Sequence, residues 1–200
     1  MDSVMWIDLL VTITVGAVLL LFIKSLIRKF TLLKAYFSAA ALFLLVPYSA
    51  GLFQIETAFQ LQEWAKLISI TIYISGLLVL IRESKPVFAR FPKHLTALPF
   101  ISFIFFPLII NSFIIKDLLN AVYQGGALAV TVLIFTINNA RKSQRRYYIL
   151  GISLVTAAYL SYWLFFNRNP DYDYIWISEI LMSAGILITA LRFLREQVDS

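Results

Sequence analysis

Basic residues fall at every second gap between apolar stretches. Twelve of the 17 Lys and Arg residues form three clusters. These are Lys24, Arg28, Lys29 and Lys34; Arg82, Lys85, Arg90 and Lys93; and Arg141, Lys142, Arg145 and Arg146. The intervening gaps carry Gln54, Glu56, Gln60, Gln62 and Glu63, then Lys116 and Asp117, then Asn167, Arg168, Asp171 and Asp173. Cytoplasmic flanks of membrane spans are enriched in Lys and Arg. The alternation therefore sets span number and orientation together. It predicts an all-α integral membrane protein, a compact bundle of seven transmembrane helices with the N-terminus outside and the C-terminus cytoplasmic.

The expected spans are 4–23, 32–53, 63–82, 96–115, 118–138, 147–166 and 174–194. A spanning helix needs roughly 20 apolar residues, so seven of them take up about 140. The chain has 200 residues, 60% of them hydrophobic, so one heptahelical domain fills it. Inserting or removing a span would break the alternation of charge. The first stretch, Met5 to Ile23, has its positive charges behind it and is too long for the core of a secretion signal. It is expected to be a span rather than a cleaved leader. The absence of any Asn-x-Ser/Thr sequon accords with a bacterial inner (plasma) membrane.

The net charge of +6 belongs to these flanks, and a nucleic-acid partner is not expected. The bilayer is the expected partner, with anionic headgroups near the basic clusters. The chain has no Cys and one His, His94. Thiolate chemistry and multi-His metal or haem sites are thereby excluded, and no cofactor or metal is expected. No phosphate-binding or dinucleotide-binding loop is present. A retinal protein would need a Lys in the last span, which has none.

Trp6, Trp64, Trp163 and Trp176, with Tyr162, Tyr172 and Tyr174, fall near the expected outer ends of spans. Interfacial anchoring is their simplest role. The fourth span, with Phe100 to Ile110 at its core, offers one serine and no polar face, which suits a peripheral helix. Setting it aside leaves two three-helix groups of like orientation, a 3+1+3 layout. An offset of 112 pairs Tyr36 with Tyr148 and Trp64 with Trp176, among others, as a duplication would.

Polar side chains inside a span are costly unless they face protein or water. Helical spacing groups several of them: Asp8, Thr12 and Gly16; Lys66, Ser69, Tyr73 and Gly76; Asn120, Gln124, Thr131 and Asn138; Thr156, Tyr159 and Trp163; Trp176, Glu179 and Ser183. Two readings follow for the charges. Asp8, Lys66 and Glu179 converge beneath an outer aromatic rim and line a ligand pocket, or they form a structural ion pair that ties spans one, three and seven. The candidate ligand-binding residues are Asp8, Lys66, Gln124, Tyr159, Trp163, Trp176, Glu179 and Ser183. No catalytic residue is assigned.

The 3+1+3 layout with an outside N-terminus resembles the small sugar and PQ-loop transporters. Their Pro-Gln pair is missing here, because Pro47 precedes Tyr48 and Pro107 precedes Leu108. The layout also resembles the heptahelical sensor regions of bacterial signalling proteins. Three functions are expected in order. The first is a receptor-like or sensory module that binds a small or amphipathic ligand from outside and acts through a cytoplasmic or membrane protein partner. The second is a small transporter. The third is a membrane-embedded lipid-modifying hydrolase using Asp8 and Glu179 as paired carboxylates.

Overall fold

In the computed structural model, residues 3–52, 59–109, 113–139, 146–162 and 175–198 are described. They form helix and short connections, with no strand among them. The α-helices are α1 (Ser3–Arg28), α2 (Leu32–Leu52), α3 (Phe59–Ser84), α4 (Ile101–Ile109), α5 (Phe113–Asn139), α6 (Arg146–Ser161) and α7 (Ile175–Val198). Two 3-10 helices, Val87–Ala89 and Lys93–Phe100, join α3 to α4.

Among the described residues, three helical stretches are long and apolar enough to cross a membrane: Trp6–Arg28, Leu32–Ala50 and Trp64–Ser84. Shorter apolar stretches lie at Ala121–Ile137 and Trp176–Leu191. Large apolar side chains such as Leu20, Ile27, Val130 and Ile137 stand exposed on the outer surface. A surface of this kind is stable against hydrocarbon and unfavourable in water.

The helices are packed in a closed order. Helix α1 contacts α2, α2 contacts α3, α3 contacts α5, α5 contacts α6, α6 contacts α7, and α7 returns to α1. Helix α4 stands outside this ring against α5, and the 3-10 helix Lys93–Phe100 packs on α3. The apolar sequence of α4 explains its place, since its one polar side chain, Ser102, is met by Gln124 of α5.

The expected fourth span differs in form. It begins at Lys93 as a 3-10 helix and becomes α-helical only at Ile101. Pro99 lies inside the 3-10 segment and has no N–H to give to an α-helical bond. Likewise α5 begins at Phe113, so Lys116 and Asp117 sit in its early turns rather than in a loop. Neither residue breaks a helix. Helix α1 also runs on past Ile23 to Arg28 through good helix formers.

Ring interfaces rest on close backbone approach and inter-helix hydrogen bonds. A Cβ added to Gly185 would lie 2.7 Å from the carbonyl oxygen of Gly151, and one added to Gly151 would lie 2.9 Å from that of Gly185. Helices α6 and α7 therefore touch backbone to backbone, as small residues allow in membranes. The Ser69 hydroxyl donates to the Ala40 carbonyl at 2.7 Å, joining α3 to α2. Lys34, only 2% exposed, donates from Nζ to the carbonyls of Ser25 and Lys29, each at 3.0 Å. It satisfies the last turn of α1, where carbonyls lack helical partners and the dipole favours a cation.

Candidate functional site: a charged and aromatic cluster at one end of the ring

Lys66 stands two residues after Trp64 in the early turns of α3. Its ammonium lies 4.1 Å from the ring centroid of Tyr162, just past α6, and 5.2 Å from that of Tyr48 near the end of α2. Tyr162 also accepts a hydrogen bond from it. Two aromatic faces thus clamp the cation, an arrangement that gains strength away from water. Asp8 from α1 and Glu179 from α7 lie within electrostatic range of Lys66 and of each other.

Five helices therefore bring five polar groups to one end of the ring. The N-terminal parts of α1, α3 and α7 meet the C-terminal ends of α2 and α6 there. At full ionisation the cluster holds two carboxylates and one ammonium, a net charge of −1. Such a group in low dielectric favours a further positive charge.

A small chamber sits beneath Lys66. It has a volume of about 20 Å³ and is lined by Tyr48, Lys66, Ala158, Tyr159, Tyr162 and Ser178, with Leu44 and Met182 as its floor. Those two floor residues also line a second, apolar cavity of about 40 Å³ along the ring axis. That cavity reaches Ser69 and Tyr73 on α3, Phe22 and Phe37, and Thr189 on α7. Small-molecule pockets run from about 300 to 1,000 Å³, so both spaces are closed to an organic ligand in this structure. Each has room for water-sized contents only.

The sequence-predicted residues divide into two sets. Asp8, Lys66 and Glu179 come together, and Tyr159 lines the chamber below Lys66. Ser183 is buried one helical turn from Glu179, and Thr12 lies one turn from Asp8 on the adjoining helix. Neither hydroxyl has a hydrogen-bond partner among the described residues. Trp163 lies outside the described residues. Trp176 is 42% exposed on the outer surface of α7.

Gln124 is elsewhere. It is fully buried between α5 and the segment leading into α4, where its Nε2 donates to the Pro99 carbonyl and to Ser102 Oγ, both at 2.8 Å. It anchors the helix outside the ring. Thr131 donates to its own helix at the Ala127 carbonyl and borders an outward-facing groove, not the ring axis.

Tyr48, Ser178 and Met182 belong to the chamber and were not expected there from sequence. Tyr48 had a usable signal, since it follows Pro47 near the outer end of an expected span. Ser178 and Met182 had none beyond lying one residue from Glu179 and Ser183. Comparison of the chain with family models, curated proteins and solved structures finds no match.

Proposed function

We propose that this chain is a seven-span membrane protein of receptor-like or sensory type, and that its ligand site is the Asp8–Lys66–Glu179 cluster. The convergence of those three side chains at one end of the ring carries the reading. The meeting of alternate helix ends in the cluster supports an up-and-down path through the bilayer. With the basic ends of α1 and α3 and Arg146 at the start of α6 on the opposite side, it supports an outside N-terminus. The net negative charge and the apolar cavity below the chamber suit a small amphipathic ligand whose cationic end meets the carboxylates. Its entry displaces Leu44 and Met182, and that movement reaches the helix ends on the basic side, where a protein partner would respond.

One observation favours a transporter as the second reading. The chamber and the axial cavity share Leu44 and Met182 as a common wall, so movement of those side chains would join the two spaces along the axis. The absence of native cysteine makes the test direct. Ser183→Cys and Ser69→Cys are labelled with a membrane-impermeant thiol reagent in intact cells and in inverted vesicles. Labelling of position 183 from outside, with position 69 silent on both sides, supports the receptor. Labelling of position 69 from both sides makes it a transporter. No labelling of either position means that the cluster only ties helices together, and the ligand-site reading fails.

A further inference from the structure

We propose that the turn between α3 and α4, together with the groove beside it, binds one anionic phospholipid. The turn is rigid and basic, and it is tipped with apolar side chains. Val87 is 77% exposed and Phe88 is 92% exposed, although both could have folded inward. They are held out by a clasp. Ala89 N–H donates to the Pro86 carbonyl at 2.9 Å, and Arg90 Nε–H donates back to the Lys85 carbonyl at 3.0 Å. Arg82 Nε–H closes the outer part of the turn on the Phe91 carbonyl at 2.7 Å.

The charge here is largely uncompensated in sequence. Arg82, Lys85, Arg90 and Lys93 face a single acid, Glu83, and no further Asp or Glu occurs before Asp117. An aromatic tip between cations fits the boundary between phosphate headgroups and acyl chains. Orientation alone would require the positive charge, but neither the clasp nor an exposed Phe88.

The 3-10 helix Lys93–Phe100 then leads from this turn into the groove. At about 2 Å per residue it covers roughly 16 Å, and Leu98 and Pro99 near its end form one wall. Ile74 and Leu78 of α3 form another, and Val122, Gly126 and Val130 of α5 complete it. The groove encloses about 480 Å³ on the outward side. A Cβ at Gly126 would meet nothing within 4 Å, so the glycine leaves that space open. The groove adjoins α3, one of the three described stretches able to cross a membrane, and in a bilayer crossed by α3 its open side would face hydrocarbon. The occupant is therefore a lipid chain, with its phosphate drawn to Arg90 and Lys93 by charge complementarity. This assignment does not depend on the ligand cluster at the other end of the ring.

The test is native mass spectrometry of the intact chain in detergent with phosphatidylglycerol or phosphatidylcholine added. Wild-type protein should retain phosphatidylglycerol about tenfold better, since each basic residue near the surface adds several-fold. Arg90→Gln/Lys93→Gln should bring that ratio near one. Because loss of charge can disturb insertion, two further variants keep every charge. Phe88→Ser and Gly126→Leu should each lower phosphatidylglycerol retention several-fold, the first by removing the tip and the second by filling the groove. Equal retention of the two lipids by wild type overturns the proposal. So does unchanged phosphatidylglycerol retention in both charge-preserving variants.

Discussion

Lys34 Nζ sits 3.0 Å from the carbonyl oxygen of Ser25, nine residues earlier in the chain. The first residues of α2 thereby close the end of α1. Lys34→Met should strip the Ser25 and Lys29 carbonyls of their shared side-chain donor, leaving Ser25 only its bond from the Lys29 N–H. A loss of about 1–3 kcal/mol is expected, seen as a lower midpoint of thermal unfolding in detergent. Lys34→Arg should recover part of it, because a guanidinium also donates to carbonyls.

The Lys66 cluster predicts strong non-additivity. Lys66→Met alone removes the cation that, among the described residues, faces Asp8 and Glu179, and leaves two acids together, which should destabilise strongly. Adding Glu179→Gln should restore much of the loss. A double-mutant cycle by thermal unfolding should return a coupling of about 1–3 kcal/mol. A coupling near zero would mean that the two side chains do not share a site.

Gly151 and Gly185 should behave unlike Gly126 on substitution by alanine. At either of the first two, the new methyl meets the facing helix backbone, and a cost of about 1–3 kcal/mol is expected from overpacking. Gly126→Ala enters open space and gains helix propensity, so its stability should hold or rise by up to about 1 kcal/mol. Unfolding midpoints of the three variants check the order.

Gln124→Leu should loosen the outer helix while sparing the ring. Removing the amide strips the Pro99 carbonyl and the Ser102 hydroxyl of a donor. Hydrogen exchange across residues 93–109 should speed up by about tenfold or more, matching a loss of roughly 1.5–3 kcal/mol in local opening. Exchange in α1 and α2 should not change.

Much of this arrangement was legible in the sequence, and the limits have a common cause. The apolar run from Phe100 to Ile110, with one serine and no polar face, marked a peripheral helix, and α4 does stand outside the ring. Helical spacing put Asp8, Lys66 and Glu179 near the same ends of their helices, and they lie within electrostatic range of one another. Spacing also put Gln124 on a polar face, but a single helix does not reveal which neighbour that face meets. Its partners, Pro99 and Ser102, lie 25 and 22 residues away in a segment whose 3-10 form was not foreseen. Lys34 was read only as an orientation signal, because its contacts depend on the turn between α1 and α2. The Gly151–Gly185 contact left no trace in a chain where glycine occurs in several helices, since close approach is a property of two helices at once.

Placing α4 outside the ring has one more consequence. Two trios of helices meet along two seams, α3 with α5 and α1 with α7. The first is braced from behind by α4 and the 3-10 helix before it, while among the described residues the second has no brace. Asp8 and Thr12 stand on one side of that unbraced seam, Glu179 and Ser183 on the other. The charged cluster thus spans the flank that α4 leaves uncovered.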